Sequence, residues 1–182
     1  VDVSAPSSPG LLWRWAIEPE NAKWIQAETV LPAGDICYVG GTYFWALDVS
    51  DPTEPKILHS IRDERIWTVN GMVRRGDYIF AANKRNHITV FDVRQPDRPQ
   101  LLHAIEPRGV NFGSPHDIDL FGPERIVVVN IQPGEPRDKF HIYHVGREAA
   151  GRPFPPDQWK LEGSLDDPRL LGANRVRVRD KW

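Results

Sequence analysis

Three copies of a twelve-residue pattern divide this chain into repeats. Leu47–Leu58 begins with an apolar-Asp-Val unit, continues with two prolines three residues apart, and ends in an apolar pair. Phe91–Leu102 repeats the pattern 44 residues later, and Val1–Leu12 has the same skeleton 46 residues earlier. The first proline presets φ for a turn, and Asp51 offers a side-chain acceptor to the turn backbone. Each copy therefore predicts two strands joined by a rigid corner.

Two further extended runs lie between successive corners. In chain order these pairs of runs are Trp24–Val30 with Asp35–Gly40, Thr68–Val73 with Tyr78–Ala82, and Asp117–Phe121 with Arg125–Asn130. Turns are predicted inside the pairs, around Pro32 and Gly34, at Arg74–Asp77 and at Gly122-Pro123. A fourth, degenerate copy has Ile142–Val145 in place of the apolar-Asp-Val unit, followed by a longer loop through Pro153, Pro155 and Pro156. Four short strands roughly every 45 residues are typical of a β-propeller blade.

The sequence thus predicts an all-β propeller in a single domain. Its three complete four-stranded blades are expected at 24–62, 67–106 and 115–165, with the end of a blade at 1–19 and the start of another at 172–182. A ring of six or seven blades needs roughly 24 to 28 strands, more than these segments supply. We therefore expect a fragment of such a ring, whose edge strands pair with the missing blades or with another copy of the chain.

Composition narrows the classes of partner. The chain has 23 basic and 25 acidic residues and a formal net charge of −2, which gives no general attraction to nucleic acid. No run of 18 or so apolar residues is present, so no membrane-spanning helix is predicted. The predicted partners are a protein or a glycan, with no nucleic acid and no membrane span.

The repeat resembles that of the LVIVD-repeat proteins, bacterial propellers often found at the cell surface. The residues that carry the resemblance are Gly34–Val39, Leu47–Pro55, Gly76–Ala81 and Phe91–Pro99. Propellers host binding, scaffolding and hydrolysis alike, so the resemblance implies the fold more than an activity. It implies a noncatalytic repeat module, without a cofactor, that binds a partner at the surface or outside the cytoplasm. The compartment itself is left open.

Polar residues recur where the predicted inner strands begin. They are Gln26, Asn70, His116 with the adjacent Asp117, and Asn174. Side chains of this kind usually satisfy channel-facing backbone groups or hold water. A histidine beside a carboxylate also suits a general base near neutral pH. Both interpretations stay open for these residues.

A second similarity, to the six-bladed calcium-dependent lactonases and arylesterases, supplies the alternative function. It is carried by Asn111–Ile118, Val127–Asn130 and Ala173-Asn174. It implies a calcium-dependent lactonase or esterase with its site in the central channel. His116 and Asp117 would then be catalytic, and Asn70 and Asn174 would bind calcium. Two departures are Ile131, where that family has a second histidine, and Arg175, where an acidic residue would suit a cation.

The last predicted strand, Asn174–Arg179, has an unusual charge pattern. Its arginines alternate with Val176 and Val178, so Arg175, Arg177 and Arg179 share one face. A solvated or ion-paired face is favoured over a binding site for a polyanion.

Overall fold

Three antiparallel sheets of four strands each make up the fold. The computed structural model describes residues 4, 7, 8, 10, 11, 26–84, 87–105, 114–131, 140–148, 151–170 and 172–179. In those residues, neighbouring strands of each sheet are consecutive in sequence. This arrangement confirms the predicted all-β propeller with three complete four-stranded blades. The partial blade predicted at 1–19 lies almost entirely outside the described residues.

Each sheet is a meander of short strands. The first contains β1 (Ala27–Ala33), β2 (Ile36–Gly41), β3 (Phe44–Asp48) and β4 (Lys56–Ile61). The second contains β5 (Val69–Arg75), β6 (Tyr78–Asn83), β7 (His87–Asp92) and β8 (Gln100–Ile105). The third contains β9 (Pro115–Leu120), β10 (Arg125–Asn130), β11 (Phe140–His144) and β12 (Lys160–Leu165). Short 3₁₀ helices span Pro156–Gln158 and Pro168–Leu170. No helix within the described ranges is long and apolar enough to cross a membrane.

A glycine in the left-handed conformation turns the chain between the first and second strands of every sheet. Gly34, Gly76 and Gly122 have φ values of 68°, 55° and 68°, which residues with a Cβ rarely adopt. Pro32 was predicted to help break the first pair of runs, and that prediction is wrong. Pro32 lies inside β1, opposite Cys37. Because β1 is an edge strand of its sheet, the missing donor of a proline is tolerated there.

The repeated aspartates fix the corner between the third and fourth strands. Asp48 Oδ1 accepts the Ser50 N–H at 2.9 Å, and Asp92 Oδ1 accepts the Arg94 N–H at 2.9 Å. Asp51 accepts the Thr53 N–H at 2.8 Å in the same corner. The Arg94 side chain also donates to Asp92, and these hydrogen bonds hold the pKa of that carboxyl below its ordinary value. The recurring aspartates are therefore turn-forming residues.

A second Asp-x-Arg turn follows the last strand of the first and third sheets. Asp63 Oδ1 accepts the Arg65 N–H at 2.9 Å, and Asp167 Oδ1 accepts the Arg169 N–H at 2.8 Å. In each turn the arginine side chain also pairs with the aspartate. Both turns lead the chain out of one sheet, so this motif marks the connection between sheets.

Successive sheets pack face to face, because strand residues point alternately to the two sides. In the second sheet, one face packs against the first sheet through Ile79, Ala81, Phe91 and Val93. The opposite face packs against the third sheet through Tyr78, Phe80, Ala82, Ile88 and Val90. Phe44 and Phe91 stack across the first of these interfaces with ring centroids 3.9 Å apart. The middle sheet is therefore apolar on both faces.

The loop of the degenerate fourth repeat anchors the second interface. Phe154 is fully buried between Tyr78 and Phe80, with ring centroids at 5.2 and 4.9 Å. Its φ of 47° is unfavourable for a residue with a side chain, so burial of the ring must offset that strain. The Arg75 guanidinium lies over the Phe80 and Phe154 rings and donates to the carbonyls of Gly122 and Arg125. The proline-rich loop thus contributes to the core.

Replacing Phe154 with alanine should lower the free energy of unfolding by about 3 to 5 kcal/mol, because the change leaves a cavity between two sheets. Chemical denaturation measures the effect. Leu58→Ala is the control, since Leu58 is 39% exposed on β4 and its replacement should cost about 0.5 kcal/mol or less. Equal losses for the two variants would contradict the anchoring role.

The Asp63 turn should make the protein less stable in acid. Hydrogen bonds from Arg65 lower the pKa of Asp63 from 3.8 to about 2. A carboxyl with a lowered pKa in the folded state stabilises that state above its unfolded pKa, and the contribution is lost as the pH falls toward 2. We expect Asp63→Asn to reduce the fall in Tm over that interval, and the control Asp97→Asn to leave it unchanged. Identical Tm profiles for wild type and Asp63→Asn would contradict this expectation.

Candidate functional site

The first strands of the three sheets lie side by side and form the inner side of the assembly. β1 contacts β5, and β5 contacts β9. Each of these inner strands is an edge strand of its own sheet. In a propeller the innermost strands line the central channel, where ligands usually bind. The candidate site is therefore sought along β1, β5 and β9.

Every inner strand carries a β-bulge at the same level. Register shifts occur between Ala27 and Thr29, between Val69 and Gly71, and opposite Val129 and Asn130 in the third sheet. The extra residues are Glu28, Asn70 and His116. Bulges often lie next to active sites, because the extra residue redirects a side chain. Three polar residues of different chemistry thus occupy equivalent positions.

The repeat pattern in the sequence predicts Gln26 as the equivalent of Asn70 and His116, whereas the structure places Glu28 there. Gln26 is exposed, and its backbone pairs with Thr42 before the bulge begins. A local signal does identify the equivalent residues. Glu28, Asn70 and His116 each lie six residues before the left-handed turn glycine of their repeat. Counting back from that glycine would have located Glu28.

Side chains at the bulges link one inner strand to the next. Asn70 Nδ2 donates to the Pro115 carbonyl at 3.4 Å, and Pro115 directly precedes the bulge of β9. His116 Nδ1 lies 3.0 Å from the carbonyl of Asn174. In the first link the accepting carbonyl belongs to the residue before His116, and in the second link it belongs to the residue before Arg175. Arg175 is therefore the equivalent of Asn70 and His116 in the next segment. Glu28 differs, because its carboxylate pairs with Lys84 at 3.3 Å.

Asp117 is almost fully buried and holds the segment after the third sheet. Its Oδ2 accepts the Val176 N–H at 3.0 Å and Arg177 Nη1 at 2.7 Å, and its Oδ1 lies 4.0 Å from Arg175. Asp119 Oδ2 accepts the Val178 N–H at 2.8 Å. Residues 174–179 were predicted to form a strand, but within the described residues they join no sheet. The N–H groups of Val176 and Val178 therefore donate to carboxylates instead of to a neighbouring strand.

A cleft of about 430 Å³ opens along the inner strands. It is lined by Glu28, Thr29, Val30, Leu31, Met72, Val73, Asp117, Ile118, Asp119, Arg175 and Arg177. Acidic and basic groups are both present, and some of them already form ion pairs, Glu28 with Lys84 and Asp117 with Arg177. Arg175, whose side chain is 53% exposed, makes no hydrogen bond to any described residue. Its guanidinium is paired with Asp117 at 4.0 Å without a hydrogen bond, so its N–H groups can still donate to a ligand.

The structure gives the side chains of His116 and Asp117 separate hydrogen-bond partners, and a catalytic role for the two residues stays a prediction. The partner of His116 is the Asn174 carbonyl, which can only accept, so Nδ1 carries the proton and Nε2 has a free lone pair. The Asp117 carboxylate is engaged by Val176 and Arg177. His116 retains a proton-accepting nitrogen, without a carboxylate to orient it.

The structure places the two predicted calcium ligands, Asn70 and Asn174, in different surroundings. Asn70 Oδ1 is buried and has no hydrogen-bond partner among the described residues, as expected for an atom that binds a cation or water. Asn174 is exposed, and its backbone carbonyl binds His116. Arg175 and Arg177 beside Asp117 repel a cation, and the described part of the chain contains no metal-binding group of three His, Cys, Asp or Glu residues. The residues around Asp117 do not fit calcium, and binding by Asn70 and Asn174 stays a prediction.

Comparison with known proteins identifies the repeat. Residues 1–16 and 26–63 match the LVIVD repeat family, as the corner pattern predicts. A comparison with curated proteins found no match.

Among solved structures, the chain is similar to the N-terminal domain of Nup159, with 13% identity and a TM-score of 0.43. It is also similar to a chain of the S. cerevisiae complex of dbp5 with nup159, gle1, ip6 and adp, with 14% identity and a TM-score of 0.42. Each alignment covers 79% of this chain and 31% of the other, so the chain spans about a third of their length.

Gly71 should be essential for the close approach of β5 to β9. A Cβ at this position would lie 2.5 Å from Asp117 Oδ1 and 2.8 Å from the Asp117 Cα. We expect Gly71→Ala to lower the free energy of unfolding by about 1 to 3 kcal/mol, because the backbone of β9 has to shift. Gly163→Ala is the matched control, since no atom lies within 4 Å of its added Cβ. Denaturant titration of both variants tests this, and similar stabilities would contradict it.

Proposed function

The N-terminal third of the chain carries LVIVD repeats, and we propose that the protein is a noncatalytic propeller module that binds a protein or glycan partner at its inner strands. The observation that carries this proposal is the row of equivalent bulge positions on the inner strands, together with a charged cleft along the same strands that Glu28 lines. Glu28, Asn70 and His116 provide a carboxylate, an amide and an imidazole in successive strands. Such variation at one repeat position suits recognition of a particular partner.

The cleft has the size and chemistry of a binding site. Its volume of about 430 Å³ falls in the range of ligand pockets, roughly 300 to 1,000 Å³. Donors come from Arg175 and Arg177, and acceptors come from Glu28 and Thr29. Sugar hydroxyls and peptide groups both donate and accept hydrogen bonds, so either partner matches this mixed lining. The balance of charges disfavours a polyanion.

Binding should depend on Arg175. The purified full chain is screened against an array of neutral and uronate-containing oligosaccharides and against a displayed peptide library, and Kd values for the hits are measured by calorimetry. We expect Arg175→Ala to weaken binding about 10- to 100-fold, because a charge-assisted hydrogen bond contributes about 1.5 to 3 kcal/mol.

Arg98→Ala, at the exposed corner of the second sheet, is the control and should bind as the wild type does. Equal Kd values for wild type and Arg175→Ala would refute a site in this cleft. Absence of any hit on the array and in the library would count against the binding module itself.

The alternative is a lactonase or esterase, and one contact favours it. Because His116 Nδ1 donates to the Asn174 carbonyl, Nε2 of the neutral ring is left as a proton acceptor on the inner strand β9. The noncatalytic proposal predicts no turnover of p-nitrophenyl acetate or δ-valerolactone, and a Tm that neither calcium nor a chelator changes. Turnover lost in His116→Ala, with calcium stabilisation lost in Asn70→Ala or Asn174→Ala, would replace the binding module by a hydrolase.

A further inference from the structure

The third sheet has an apolar face that no other described sheet covers. The corresponding faces of the first and second sheets are buried by the sheet that follows each. In the third sheet this face borders a cleft of about 550 Å³. The cleft is lined by Phe121, Val127, Phe140 and Ile142 from the third sheet and by residues 176–179. The segment after the sheet is thus what the structure places over this face.

Residues 174–179 meet this face with their valines. Val176 and Val178 line the apolar cleft and are half-buried, whereas Arg175, Arg177 and Arg179 are exposed. The side chains of Arg175 and Arg177 are 53% and 64% exposed. The valines are therefore the more buried residues of the segment and the arginines the more exposed ones, although Arg177 and Arg179 also border the cleft and Arg177 binds Asp117.

Three neighbouring side chains of β9 hold alternate residues of the segment. His116 binds the carbonyl of Asn174, Asp117 accepts the N–H of Val176, and Asp119 accepts the N–H of Val178. A partner strand would normally supply backbone carbonyls to such N–H groups. Here carboxylate oxygens replace them, so the attachment is made of charge-assisted hydrogen bonds.

The other two inner junctions lack this device. Counting from the bulges, the equivalents of Asp117 and Asp119 are Thr29 and Leu31 in β1, and Gly71 and Val73 in β5. The first junction instead packs Gly40 tightly against Val69, where an added Cβ would lie 2.5 Å from Val69 Cγ1. Among the described junctions, carboxylates bind the adjoining backbone at the third alone.

We propose that residues 174–179 are a releasable strap over the apolar face of the third sheet, and that Asp117 and Asp119 are the clamp that closes it. Elsewhere the three sheets are joined mainly by apolar burial, which added salt does not weaken, beside the Glu28–Lys84 ion pair and the hydrogen bonds of Asn70 and Arg75. Asp117 is buried and Asp119 half-buried, but the Arg177 side chain that pairs with Asp117 is 64% exposed, so salt weakens the clamp more than it weakens apolar burial. Opening the strap would uncover Phe140 and Ile142 without separating the three sheets.

Hydrogen exchange of the full chain, measured by NMR, tests the clamp. We expect Asp117→Asn and Asp119→Asn to speed exchange of the Val176 and Val178 amides at least about tenfold, because each variant loses a charge-assisted bond. Amides of β6 should exchange at the wild-type rate. Binding of a hydrophobic dye and tryptic cleavage after Arg175 should rise in parallel. Asp97→Asn, at an exposed corner, is the matched control.

In the wild type, raising NaCl from about 0.1 M to 1 M shortens the Debye length from about 10 Å to 3 Å, and exchange at Val176 and Val178 should rise about threefold or more. If Asp117→Asn unfolds globally, which faster exchange in β6 would reveal, the half-buried Asp119→Asn decides the question. Unchanged exchange at Val178 in Asp119→Asn, or exchange insensitive to salt, would overturn the proposal. Neither result depends on whether a partner binds the inner cleft.

Discussion

Burial of both faces of the middle sheet is the requirement on which the rest of the structure depends. β6 is buried at all six of its positions, and its side chains alternate between the first and third sheets. A strand that is apolar on both sides must be covered twice. Phe44 covers one side by stacking on Phe91, and Phe154 closes the other against Phe80. The sheets therefore stack in chain order. The outer face of the third sheet is also apolar, so it too has to be covered.

Stacking also brings the inner strands so close that side chains must be small or redirected. Gly71 of β5 lies where an added Cβ would meet Asp117 of β9, and Gly40 of β2, the strand beside β1, lies where an added Cβ would meet Val69 of β5. Just beside these contacts, a bulge gives each strand one residue outside the regular ladder, and that residue is polar in all three sheets. The candidate site is in this sense a consequence of packing. Where the backbones are closest, the bulge is the position with room for a functional side chain.

The junctions between sheets are of two physical kinds. Between the three sheets the junctions are mainly apolar packing, whose strength comes from surface removed from water. At the end of the third sheet, buried Asp117 instead requires hydrogen-bond donors, because an unpaired carboxylate is costly in the interior. Val176 and Arg177 supply them. The first kind of junction suits a permanent core, and the second suits a segment that opens while the sheets remain intact.

The repeat period, the turn glycines and the corner aspartates could be predicted from the amino-acid sequence, because these residues act on the backbone next to them. Gly76 and Asp92 act on backbone within two residues of themselves, so no distant contact is needed to infer their roles. The inner row was predicted in part: Asn70 and His116 were found, and Glu28 was missed in favour of Gln26. That difference arose because a bulge depends on the register between two strands. Burial of Phe154 and the engagement of Asp117 by residues 176 and 177 required the assembled sheets, because the partners lie far apart in the chain and meet only when the sheets pack.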